Sequence, residues 1–306
     1  MDEEAMKAMR HIMRSQAAFA GMEVLTYCFM ANHFHIFVRL DPKETENLDD
    51  AGLVARFRAL YGGTRCASVG LDADDLEEIL TKNRDSAEGI RRRLKARMGD
   101  VSVFMREVKT RFTLWYNQKH GTVGTFWAER FRSVIVEADT EAQRMVAAYI
   151  DLNPVRAGLV EDAGAYGFSG FGEACAGSSA ARRGIARIEG KMTWAAKWHE
   201  RYRARLCSRM GPGMRPPQVD QKNASATTHE DGVGGVAVEV SGLLSKIRAF
   251  SESWVVGSVA WVASFCAPNG WLGYKKGRKA QPVALDGGAD LSTVATVVKR
   301  RCEGPR

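Results

Sequence analysis

The chain has 306 residues, enough for two modest domains and a substantial core. Its 45% hydrophobic and 26% charged content is that of an ordinary globular protein and speaks against a disordered chain. The net charge of +8 favours a polyanionic partner without proving one, and six cysteines, none in a C-x-x-C pair, read as scattered free thiols of a reducing compartment.

The N-terminus, MDEEAMKAMR, has no signal-peptide character, and residues 2–20 predict a helix with no breaker before Gly21. Residues 23–40, EVLTYCFMANHFHIFVRL, are rich in β-branched and aromatic residues. They predict one long strand, or two strands with a kink near Ala31 and Asn32. ENLDDAGLVARFRALYGG predicts a helix ended by two glycines, and residues 72–97 a charged helical stretch. In VSVFMREVKTRFTLWYNQKHG, the residues Val103, Phe104, Val108, Phe112 and Trp115 fall near helical spacing, so an amphipathic helix is expected. The following GTFWAERFRSVIVEA turns strand-like at 132–136. TEAQRMVAAYIDLNP reads as a helix with Thr140 as N-cap and Pro154 as its stop.

Residues 155–175 are Gly-rich and irregular, and 208–242, with GPGMRPP and NASATTHEDGVGG, is the best linker in the chain. The tail beyond it is expected to be helical over 243–265 and carries the basic run GYKKGRK. Its longest apolar run, WVVGSVAWVASFCA, is too short to span a bilayer as a helix. The expectation is a cytoplasmic protein with no membrane partner. Three parts follow: a domain over 1–175, an extension and flexible linker over 176–242, and a small, mainly helical basic tail over 243–306.

Within the predicted strand, MANHFHIFVRL places two of the six histidines two residues apart. Alternate side chains of a strand share a face, so His33 and His35 lie together while Phe34 and Ile36 point the other way. Two adjacent imidazoles can hold one metal ion, although a bare His-x-His suits two polar residues on a half-wet strand as well. Farther on, YIDLNP places Tyr149 and Asn153 four apart, on one face of a helix, with Asn153 at the helix end because Pro154 disfavours helical geometry before it. Two imidazoles, an amide oxygen and a tyrosine are a set suited to phosphodiester transfer. A tyrosine is about 0.1% phenolate at neutral pH and needs help to attack. A divalent cation on the imidazoles and a side-chain oxygen orients and polarises the phosphate. A mixed imidazole and oxygen set with open positions suits Mg²⁺ or Mn²⁺. Taken alone, Tyr149 also suits a core position with a hydrogen-bonded tip, and Asn153 a simple cap.

These stretches resemble a known family. YCFMANHFHIFVRL is similar to the M-x-N-H-x-H strand of the HUH single-tyrosine transposases, in which a hydrophobic residue separates two histidines. MREVKTRFTLWYNQKHGTVGTFWAERFRSVIVE looks like the family's next helix and strand, and AAYIDLNPVRAGLV like its tyrosine helix, with Y-I-x-x-N-P-V-x-x-G-L-V intact. The likeness is greatest to the REP-associated tyrosine transposases, and FSESWVVGSVAWVASF resembles a segment of their longer members. The resemblance spans most of 20–175 and part of 243–306. It implies a ferredoxin-like α/β fold with a central antiparallel sheet, a metal pair at His33 and His35, a nucleophile at Tyr149, and a third ligand at Asn153. It implies attack on single-stranded DNA near a hairpin, with a 5′-phosphotyrosine formed and a 3′-hydroxyl released. Family members begin with a strand, whereas this chain starts at what would be the first helix. The first strand is therefore expected to be lacking, which would leave an unpaired sheet edge.

Between Lys82 and Arg111 ten basic residues face four acidic ones, most of the net charge of the chain. Arg91, Arg92, Arg93, Lys95, Arg97, Lys109 and Arg111 are candidate phosphate contacts, as are Arg130 and Arg132; a solvated helix face fits them equally well. Trp115, Tyr116, Phe126 and Trp127 suit base stacking or a core. The expected activity is metal-dependent nicking and rejoining of single-stranded or hairpin DNA, by a monomer or homodimer. The alternative is a truncated or domesticated hairpin-binding protein that no longer cuts. A histidine-triad enzyme is disfavoured because position 37 is Phe, and an RNA-binding ferredoxin-like domain would give Tyr149 no role.

Overall fold

A computed structural model describes residues 1–82, 85–138, 141–209 and 253–266 and the short strands 283–284 and 295–298. The fold is mixed α/β and mostly helical. The chain forms two units, residues 1–131 with 167–184, and residues 132–166 with 185 onward.

In the first unit, α1 (Glu3–Ala20) starts where the Asp2 carboxylate accepts the Ala5 amide at 2.8 Å. Met9, Met13, Ala17 and Ala20, at helical spacing, form its buried stripe. β1 (Met22–Phe29) and β2 (Phe34–Leu40) make an antiparallel pair in the register Cys28↔His35 and Phe29↔Phe34. The predicted 23–40 strand is thus a hairpin, closed where the Met30 amide donates to the His33 carbonyl at 2.9 Å. One face of β2, through Phe34, Ile36, Val38 and Leu40, packs with α1 and α6 (Val101–His120) into a core that includes Tyr27, Phe29, Phe104, Val108 and Phe112. A second core joins α3 (Asp50–Tyr61), α4 (Ala73–Thr81) and α5 (Ala87–Lys95) through Phe57, Leu76 and Leu94; the short α2 (Pro42–Glu46) precedes them. The charged stretch 72–97, read as helical, holds the two helices α4 and α5.

The sheet of this unit has two strands among the described residues. The edge of β1 away from β2 is nonetheless not left open. The Phe29 amide donates to the Phe168 carbonyl at 2.9 Å, and Cys28 forms a bridge with Ser169. At Gly170 an added Cβ would sit 2.8 Å from Thr26 Cα, and at Gly184 2.8 Å from the Val24 carbonyl oxygen, so glycine is what permits this approach. Glu173 completes the seam by accepting Tyr27 Oη at 2.9 Å and pairing with Arg14. Residues 155–175 are less irregular than expected, because α8 (Asn153–Arg156) and α9 (Gly170–Cys175) lie at their ends.

In the second unit, α7 (Glu141–Asp151) packs Ala142 and Met145 on Val256 of a four-stranded sheet. In that sheet β3 (Ile135–Val136) runs parallel to β4 (Ser253–Gly257), which is followed by β6 (Ala295–Val298) and β5 (Val283–Ala284). The tail expected to be helical over 243–265 thus contains a strand at SWVVG, whose aromatic and β-branched residues suit a sheet; α12 (Val259–Cys266) follows. The extension assigned as linker from 176 holds two helices, α10 (Ser179–Ile188) and α11 (Ala196–Arg209), which bury Ile188, Tyr202 and Leu206. The Thr140 cap, the 210–242 part of the linker and GYKKGRK lie outside the described residues. Cys28, Cys66, Cys175 and Cys207 are free thiols. No helix among the described residues is long and apolar enough to cross a membrane.

Candidate functional site

The two histidines emerge at the tip of the β1–β2 hairpin. His33 is exposed one residue before β2, while His35 is half-buried on the strand. Their ring centroids lie 5.3 Å apart at 80°. Two imidazoles that bind one ion through nitrogens at about 2.1 Å have centroids roughly 4.5–5.5 Å apart, so the pair fits as two donors. The Nδ1 of His33 lies 2.8 Å from Asn32 Oδ1. An amide oxygen there accepts a hydrogen bond from Nδ1–H in the tautomer that leaves the Nε2 lone pair for a ligand. Between the two rings Phe34 points to the other face, edge-on to Trp127 at 5.3 Å. The alternation read in the sequence therefore has a physical basis: polar donors on one face, core on the other. Among the described residues no group of three or more His, Cys, Asp or Glu side chains could hold a metal ion. An amide or solvent oxygen would have to complete such a site.

In the second unit Tyr149 is half-buried near the end of α7. The opposite side of the helix is fixed in place. Tyr202 Oη donates to the buried Asp151 carboxylate at 2.7 Å, and Gln143 Nε2 donates to the Arg187 carbonyl at 3.0 Å. Burial, then the Asp151 charge, pushes the Tyr202 pKa well above the usual phenol range, so this tyrosine stays a donor. Pro154 does not turn Asn153 out of the helical path as expected. Leu152 is itself helical, Asn153 opens α8, and its side chain is buried and donates to the Tyr149 carbonyl at 3.1 Å. With its nitrogen so used, the amide oxygen of Asn153 is the group that could serve as a ligand. One neighbour was not singled out from the sequence. The Arg156 guanidinium lies 4.9 Å over the Tyr149 ring, and its buried Nη1 has no hydrogen-bond partner among the described residues. The spacing of seven, two helical turns after Tyr149, was the available signal.

The candidate phosphate contacts divide sharply. Arg91 grips Asp50 with two bonds at 2.8 and 2.7 Å. Arg97 grips Glu107 at 2.7 and 2.8 Å, donates to Tyr61 Oη at 2.6 Å and covers the Phe19 ring. Both are occupied in holding helices together. Arg111 lies 4.9 Å over the Tyr61 ring. By contrast Arg92, Arg93, Arg130 and Arg132 are exposed and Lys95 is half-exposed, with Arg93 also donating to the Ser68 carbonyl. Lys109 donates to the Glu129 carbonyl at 2.7 Å, and burial pushes its pKa down. Trp115, Tyr116, Phe126 and Trp127 pack on Phe112 and belong to the core rather than to a stacking surface.

Comparison with protein-family models, with curated proteins and with solved structures finds no significant match to the chain.

Proposed function

We propose that the protein is a metal-dependent DNA strand transferase of the HUH single-tyrosine type, on a ferredoxin-like variant of the α/β fold. The observation that carries this reading is the pair of imidazoles 5.3 Å apart at the hairpin tip, one of them oriented by Asn32. His33 and His35 would hold Mg²⁺ or Mn²⁺ together with an oxygen ligand, the role that the resemblance gives Asn153, and the ion would supply charge stabilisation at a phosphate oxygen. Tyr149 Oη attacks the phosphorus and loses its proton. The P–O3′ bond breaks, the 3′ oxygen leaves as a hydroxyl, and the strand stays on the enzyme as a 5′-phosphotyrosine. The phosphodiester energy is conserved in that ester, so rejoining needs no nucleotide. Exposed Arg92, Arg93 and Arg130 and half-exposed Lys95, none of them buried in an ion pair, are the best placed of the candidates to meet backbone phosphates.

The test is a covalent-adduct assay with end-labelled single-stranded hairpin DNA taken from sequence flanking the gene, with Mg²⁺ or Mn²⁺. Label retained on denatured protein and lost in Tyr149→Phe supports the reading. Binding with no adduct would instead identify a hairpin-binding protein that does not cut.

A further inference from the structure

A groove of about 780 Å³ runs beside α6, between that helix and the segment that returns at 124–131. Arg106, Lys109, Thr113 and Leu114 form the helix wall, and Trp127 and Arg130 lie opposite. Three cations thus face one carboxylate in the lining, that of Glu129. The floor is fixed: Trp127 Nε1 donates to the Lys109 carbonyl at 3.0 Å, Thr113 Oγ1 donates to the same oxygen at 2.9 Å, and Lys109 Nζ lies 5.3 Å over the indole. Leu114 is 64% exposed, an apolar side chain that no core accounts for. Trp127 also meets Phe34, the residue between the two histidines, at 5.3 Å between ring centroids.

We propose that this groove binds a single polynucleotide strand, its phosphates at Arg106, Lys109 and Arg130 and a base against Leu114. The proposal deepens the strand-transfer reading and rests on it for the identity of the strand. A groove of this volume has room for a short stretch of one strand. An apolar wall among cations and hydroxyls calls for a ligand that alternates charge with unpaired aromatic surface, and single strands have that alternation.

The experiment is fluorescence anisotropy of a labelled oligothymidine with the full chain over a range of salt, with polyglutamate and a DNA duplex as competitors. Each of Arg106→Gln and Arg130→Gln should make the slope of log K against log salt shallower by about 0.7, and Leu114→Glu should weaken binding at every salt concentration. Lys7→Gln, which removes the same charge from an exposed position on α1, should leave the slope within error of the parent. Equal losses from Lys7→Gln and the groove variants, or equal competition by polyglutamate or duplex, would overturn the proposal. These positions are exposed, so unchanged melting temperatures separate lost binding from lost folding. Binding that behaves as described in a protein that forms no adduct would sink the transferase reading and leave the groove. Adduct formation with binding unaltered in all three groove variants would do the reverse.

Discussion

The hairpin tip and the tyrosine helix prepare their side chains in opposite ways. At the tip, Ala31, Asn32 and His33 are exposed, and rigidity comes from beneath, where Phe34 and its alternate neighbours are anchored in the core. At the helix, order comes from the sides: Asp151 and Asn153 are buried and bonded, and Tyr149 is half-exposed. An exposed loop leaves imidazoles accessible to an ion and to exchange. A helix end with buried caps gives an attacking group one direction. The contrast implies that damage at the tip should cost ligand binding with little loss of stability, whereas damage around the tyrosine should cost both.

The sharpest break in that comparison is chemical. Tyr149→Phe should leave no adduct above background, and His33→Ala or His35→Ala should abolish cleavage while hairpin binding persists. Calorimetric titration with Mn²⁺ should show the histidine variants losing the ion and Tyr149→Phe keeping it. Next in size is Arg97→Gln, which leaves the half-buried Glu107 carboxylate with Gln16 as a donor but no cation; a loss of about 2–4 kcal/mol in urea unfolding is expected, against almost none for Arg92→Gln. Gly170→Ala forces a methyl group against Thr26 and should lower stability by about 1–3 kcal/mol, read as a melting shift of several degrees. Asn153→Ala removes a part-buried hydrogen bond worth about 1 kcal/mol and should slow adduct formation more than it lowers stability. An Asn153→Ala protein with parental cleavage would remove the amide from the ligand set. The smallest effect concerns pH. The hydrogen bond from Arg91 holds the Asp50 carboxyl below its usual range, so its contribution is present above the unfolded carboxylate pKa. That contribution is lost as the pH falls through the lower folded value, and Asp50→Asn should flatten that small part of the acid titration of stability.

Much of the fold was legible because periodicity reports burial. The amphipathic run from Val103 to Trp115 became α6, and the alternation around His33 and His35 became a strand with two unlike faces. The turn at Ala31 and Asn32 was legible only as an interruption, since the four residues between the strands, Met30 to His33, hold no glycine or proline. What stayed hidden depends on partners distant in sequence. Arg91 and Arg92 are indistinguishable as letters, and only the position of Asp50 decides which of them is neutralised. Arg156 was missed because its meaning lies in the ring it covers. The helices α10 and α11 were hidden by their many charges, although Tyr202 and Leu206, four apart, mark the buried stripe.

The closure of β1 by residues near 170 has a consequence for how the chain is made. The hairpin strands leave the ribosome early, yet the groups that occupy the far edge of β1, Phe168, Ser169 and Gly184, come more than a hundred residues later. At ordinary synthesis rates that edge waits roughly 6–30 s for its cover, time in which unpaired strand backbone can recruit a neighbouring chain. Slowed translation between Leu40 and Gly184 should therefore raise the aggregated fraction without altering the stability of the finished protein.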